Sequence, residues 1–153
     1  PKTELQTPSV SGDGRLAVTF RRTMRATAIV ERKGSIRKTG KGCQLTWAPG
    51  GRSLVKVDDG GNMGNTIFKV DAQTLEVEKL FDAPGEFSHE YFPMIANTGD
   101  VLVYGASSEG HEHDTADYEI FLWAIGAPAK QAVRLTHHTG NDCWPDLYLR
   151  RPL

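Results

Sequence analysis

"LTWAPGGRSLVKV" occupies residues 45–57: a polar pair, a turn containing glycine, and then an alternating apolar run. The same plan recurs twice. "TPSVSGDGRLAVTF" covers 7–20 and "FPMIANTGDVLVYG" covers 92–105. Gly14, Gly51 and Gly99 fall at one point of that plan. A glycine there fits a tight hairpin whose backbone needs a positive φ, which an L side chain adopts only at a cost.

Each unit continues in one way. After the hairpin comes a polar loop and a third strand: "TAIVE" (27–31), "NTIFKVD" (65–71) and "YEIFLWAIG" (118–126). A fourth strand follows in "GSIRKTG" (34–40), "LEVEKLF" (75–81) and "QAVRLTH" (131–137). No segment sustains the 3.6-residue apolar period of a helix. Units of four short strands, recurring every 40–50 residues or so, are the pattern of propeller blades. The sequence therefore predicts an all-β chain, a partial β-propeller. Its four-stranded antiparallel blades span 7–40, 43–81 and 89–137, and 143–150 supplies the innermost strand of a fourth.

Length and charge bound the function. The 153 residues suffice for one domain with a real core. A net charge of −1 steers the chain toward neither nucleic acid nor an anionic membrane. No apolar run approaches the roughly 18–20 residues of a membrane span. The opening "PKTELQTPSV" has neither the basic nor the apolar region of a signal peptide. The basic run at 20–42 lacks the interleaved aromatics that stack on bases, and reads as a solvated edge.

The stretches "LTWAPGGRSLVKV", "FPMIANTGDVLVYGAS" and "DYEIFLWAIG…VRLTHHTGNDCWPDL" resemble the WD40-like (PD40-type) repeats of the TolB-like propeller family. Those units run Pro-x-Trp-Ser-Pro-Asp-Gly, an apolar strand, an Asp/Asn-Gly loop, an Ile-Tyr/Phe strand and "RLT". Trp47, Pro49 and Gly51 match the first motif, as do Pro8, Asp13 and Gly14, and then Pro93 and Gly99. The motif's Asp is replaced by Gly50 in the second unit and Thr98 in the third. The resemblance implies a fold that hosts many functions, and a periplasmic or secreted bacterial protein. Pro145 aligns with Pro8 and Pro93, so "WPDLYL" opens a further blade. Propellers generally close with about four to eight blades. The remaining blades are therefore expected from an upstream segment of a longer protein or from a second copy of the chain.

In such blades the loops between strands two and three share a face with the loops between blades. All five histidines fall on that face: His89, His111, His113, His137 and His138, with Glu90, Glu112, Asp114, Asp117 and Asp142. Imidazoles beside carboxylates suit a divalent metal. His111, His113, Asp114, His137, His138 and Asp142 are the candidate ligands, against the alternative of ordinary solvated loops. Clustered imidazoles would also make the face more positive in acid. "DDGGNMGN" (58–65) lacks the spacing and terminal Glu of a calcium loop and reads as a turn.

Cys43 and Cys143 occupy equivalent positions of different units, too far apart for a disulfide, and are expected as free thiols. Trp47, Trp123 and Trp144 are expected in the core between blades, with Trp123 a possible stacking platform beside Phe121. No Gly-x-Ser-x-Gly elbow or phosphate-cradling glycine loop is present. The reading is a non-catalytic module binding a protein or peptide through its loop-lined face, with His89, Glu90, Tyr91, Phe92 and Trp144 as contacts. The alternatives are the propeller portion of a larger hydrolase or peptidase, and a metal-binding propeller.

Overall fold

The computed structural model describes residues 4–20, 26–58, 65–110, 115–137 and 139–150. Three antiparallel four-stranded sheets follow one another. Sheet A holds β1 (Leu5–Val10), β2 (Leu16–Phe20), β3 (Ala26–Val30) and β4 (Ile36–Lys41). Sheet B holds β5 (Cys43–Trp47), β6 (Ser53–Asp58), β7 (Thr66–Asp71) and β8 (Val77–Phe81). Sheet C holds β9 (His89–Ile95), β10 (Val101–Ser107), β11 (Glu119–Ala124) and β12 (Val133–Arg134). Strand order within each sheet is sequential, and β1, β5 and β9 lie side by side as the innermost strands.

The three quoted hairpins share one turn hydrogen bond and a left-handed glycine. Gly14, Gly51 and Gly99 have φ of 84°, 66° and 83°. Their amides donate to Ser11 O, Ala48 O and Ala96 O, at 2.9, 3.2 and 2.9 Å. The second hairpin tightens into a 3-10 turn at Pro49–Gly51.

A second repeated feature carries no glycine. Thr7, Gln44, Phe92 and Trp144 have φ of 47°, 53°, 51° and 60°. The first three sit at bulges where the β1–β2, β5–β6 and β9–β10 ladders slip. A bulge kinks its strand and re-aims the side chains around it. Residues 143–150, expected as an innermost strand, join no ladder. Their backbone nevertheless repeats the left-handed residue before proline at Trp144. Asn97 holds them in place, accepting from Leu149 N at 2.7 Å and donating to Leu149 O at 3.1 Å. The expected strand at 131–137 is shorter than the pattern implied, with only Val133 and Arg134 paired.

Burial explains why the sheets stack. On β6, Leu54 packs toward sheet A with Ala17, Ile29, Leu45 and Val70. Val55 and Val57 pack toward sheet C with Phe81, Leu102, Tyr104 and Trp123. A strand buried on both faces reads as a nearly continuous apolar run. Its one exception, Lys56, is buried too: its ammonium donates to Thr39 O at 3.0 Å and to Lys41 O, both on β4. Burial holds its pKa below the ordinary lysine value, opposed by the charge of Asp58 at 4.0 Å. Two arginines tie the same joint from the other side. Arg15 donates to Gly51 O at 2.7 Å. Arg37, expected on a solvated edge, reaches Ala72 O and Gln73 O while paired with Glu31.

Replacing Lys56 by Met strips the buried Thr39 carbonyl and the partly buried Lys41 carbonyl of this donor. The expected loss is about 1–3 kcal/mol, or roughly 2–10 °C in Tm. Lys69→Met, at an exposed pair with Glu78, should change stability by less than about 0.5 kcal/mol. Thermal unfolding of the two variants beside the parent chain checks the contrast.

Candidate functional site

Bulges and loops bring several predicted residues together where sheets B and C meet at the axis. His89 opens β9, half-buried, and bridges to Asn65 at the end of the β6–β7 loop. Glu90 pairs across the ladder with Ala106, and Ala106 with Glu119 on β11. The two glutamates therefore share the face turned toward sheet B, and both are fully buried.

Their environments differ. Glu119 forms an ion pair with Arg134 at 2.7 Å, and the Arg134 guanidinium lies 4.6 Å above the Phe87 ring. Among the described residues Glu90 has no cation in contact. One of its oxygens accepts from the Ala83 amide, and the other has no hydrogen-bond partner among the described residues. Burial pushes its carboxyl up to about 8. Asp82 adds to the rise; the Ala83 and Glu90 amides and Lys79 oppose it. The same burial, with Glu90 nearby, raises the Tyr104 phenol. At neutral pH Glu90 is largely a neutral acid, able to donate a proton to a hydrogen bond. Asn65 Nδ2 is likewise buried without an acceptor among the described residues.

The aromatic residues divide between wall and surface. Tyr91 and Phe92 are buried, so as they stand they do not offer the open contact surface expected of them. The cause is packing: Tyr91 lies 4.9 Å from Phe92, and Phe92 lies 5.3 Å from Tyr118. Tyr91 Oη is also 2.7 Å from Cys43 Sγ. Trp144, expected in the core, is 60% exposed, because its left-handed backbone rests the indole 4.5 Å from the Phe92 ring. Trp47 and Trp123 are buried as expected, and burial of Trp123 removes it as a stacking platform. Both cysteines are free thiols.

Of the metal candidates, His111, His113, Asp114 and His138 lie outside the described residues. His137 is exposed beyond β12. Asp142 is half-buried, and its amide donates to Tyr118 O at 2.8 Å. Among the described residues no three His, Cys, Asp or Glu side chains are grouped to hold a metal. Residues 59–64 of the expected turn are also outside the description.

Sequence reasoning missed Asn65, Glu119 and Arg134. Alternation along "YEIFLW" carried a signal, since it puts Glu119 on the face of Phe121 and Trp123. Nothing local announces the Arg134 partner.

Glu90 gives a pH signature with a fixed sign. Its folded pKa lies above the ordinary value of 4.5. Its contribution is therefore full below that value and is lost as pH rises toward about 8. Urea unfolding of the parent chain should show stability falling over that window relative to Glu90→Gln. A difference that stays flat with pH would remove the assignment.

Comparison with solved structures places this geometry in a known architecture. TolB from Acinetobacter baumannii superimposes with a TM-score of 0.68 at 14% identity, over 90% of this chain and 33% of that one. The β-propeller domain of the Trilobed protease from Pyrococcus furiosus gives 0.66 at 12% identity, over 89% and 44%. Oligogalacturonate lyase from Vibrio parahaemolyticus gives 0.64 at 21% identity, over 88% and 38%. Neither a protein-family model nor a curated protein matches the sequence. The chain thus spans between a third and a half of the length of these structures. It has a TolB-like β-propeller fold, of which it forms a part.

Proposed function

We propose that this chain is a non-catalytic binding module, an arc of β-propeller that presents its loop-lined face to a protein or peptide partner. The observation that carries the reading is the aromatic stack ending at Trp144. Tyr118, Tyr91 and Phe92 form a buried wall, and the indole rests on it while remaining 60% exposed. An exposed aromatic fixed in advance loses little entropy on binding, and aromatic anchors of this kind dominate interface energetics. His89 and His137 lie at the same end of sheet C and supply a polar rim. Glu90, Tyr91 and Phe92 serve as the support beneath Trp144, not as contacts. The remaining blades come from another segment of a longer protein or from a second copy.

A second reading makes the arc the propeller portion of a larger hydrolase or peptidase, the nucleophile lying outside these residues. The likeness to the propeller domain of the Trilobed protease favours it. A longer parent sequence containing a Gly-x-Ser-x-Gly elbow is the discriminating observation.

The test is selection from a displayed peptide library against the 153-residue chain. Enriched peptides should bind Trp144→Ala at least about tenfold more weakly than the parent, the range expected for an anchor residue. Equal binding to both proteins, or no enrichment, would overturn the reading. Trp144 is exposed, so its replacement should leave the fold intact by circular dichroism.

A further inference from the structure

The outer faces of the first and last sheets follow one plan. On sheet A, alternation puts Leu16 and Val30 on the face opposite Ala17 and Ile29, which pack toward sheet B. Leu16 pairs with Val10 and with Val30, and Val30 with Ile36, so one apolar row crosses all four strands. Val10 and Ile36, at the two ends of the row, are 65% and 53% exposed. Sheet C has the same row on the face turned away from Leu102 and Trp123. There Val103 pairs with Met94 and with Leu122, and Leu122 with Val133, again across four strands. Val133 is 57% exposed, and Leu135 just beyond it 49%.

Charge is sorted between the same two ends. Residues 1–42 carry ten Lys and Arg against three Asp and Glu, whereas residues 82–142 carry two against ten. Residues 43–81 between them are nearly balanced, with four against five. The imbalance is not absorbed inside each sheet. Among the described residues, Arg32, Lys33, Lys38 and Lys41 of sheet A are exposed and have no ion pair. Glu86, Asp100, Glu109 and Asp117 around sheet C are exposed in the same way, also without an ion pair among the described residues. Two basic ends repel each other, as do two acidic ones; a basic end and an acidic end attract.

We infer that the outer face of sheet C docks the outer face of sheet A of a second copy of this chain, and that two such contacts close a ring of two chains. The contact joins unlike faces, as a head-to-tail ring requires. Six blades fall within the roughly four to eight of closed propellers. One local step accompanies docking. Residues 143–150 lie where β1 of the incoming copy would sit, because Trp144 and Pro145 repeat the backbone of Thr7 and Pro8. They join no ladder among the described residues, and Asn97 and the Phe92 ring hold them. The incoming β1 arrives already paired with β2, so the single segment gives way and acts as a placeholder for the seat. This choice of a second copy over another segment rests on the reading of the chain as an arc, and not on the Trp144 anchor.

The test is sedimentation velocity on the 153-residue chain. The parent should pass from monomer to dimer, with no larger species, as its concentration rises toward roughly 100 μM. Raising salt from about 0.05 to 0.5 M should weaken the dimer, because exposed charges are screened. Asn97→Ala, which releases residues 143–150, should tighten it about tenfold. Ile36→Asp and Val133→Asp, both at exposed residues and checked for folding by circular dichroism, should each weaken it about tenfold or more. Mixing these two variants leaves one contact free of both changes and should restore association, which a contact between like faces would not do. Parent and Asn97→Ala chains that both stay monomeric would overturn the inference. So would a dimer that salt strengthens, or one indifferent to Ile36→Asp. A monomeric result would assign the remaining blades to another segment and leave peptide binding at Trp144 as it stands.

Discussion

A four-stranded sheet has two faces, and this chain makes both of them apolar. That constraint governs the arrangement. The middle sheet shows it most plainly: Leu54 is buried against sheet A while Val55 and Val57 are buried against sheet C. Such a sheet cannot be satisfied alone and must lie between two others. Stacking then creates polar debts at the seams, since strand ends and loops bring carbonyls into the joint. Arg15, Arg37 and Lys56 meet them, each crossing from its own sheet to carbonyls of the neighbour. These ties also fix the angle between sheets, and so the convergence of β1, β5 and β9 on an axis.

The bulge on each innermost strand converts that convergence into two different ends. Left-handed backbone at Thr7, Gln44, Phe92 and Trp144 costs energy for residues with side chains. It persists because the surroundings over-determine it. On the loop side of the kink it buries Tyr91 against Cys43 and turns Trp144 outward. On the hairpin side it sets Val10, Trp47 and Ile95 at one level. The fourth copy of the bulge has no ladder partner, yet Asn97 and Phe92 hold the segment in the same conformation.

The repeat and its hairpins were legible because glycine marks a positive φ, and Gly14, Gly51 and Gly99 occupy one bonding position. Strand existence followed from alternation, and the free thiols from blade spacing. The bulges were not legible. Thr, Gln, Phe and Trp share no chemistry that announces left-handed backbone; only their common place before Pro or Leu links them. The fate of the three tryptophans turns on that same kink, so Trp144 could not be told from Trp47 by composition. Arg37 read as part of a solvated edge because its acceptors lie 35 and 36 residues away in sequence, and nothing near Lys56 announces acceptors 15–17 residues away. Glu90 read as a loop acid because the residues that bury it come from the preceding sheet.

The contrast between Glu119 and Glu90 shows how the two ends of this arc are tuned. Both acids are buried on one face of sheet C, one strand apart from Ala106 on either side. Glu119 lies 2.7 Å from Arg134, which the Phe87 ring supports from beneath. Glu90, nearer the axis, has no cation in contact among the described residues, and burial raises its carboxyl to about 8 against the weaker pull of Lys79. One Glu90 oxygen and Asn65 Nδ2 are each buried without a hydrogen-bond partner among the described residues, both near the start of β9. The hairpin end has the opposite arrangement: its charges are cancelled at the surface, and its unmet donor is the neutral indole of Trp47.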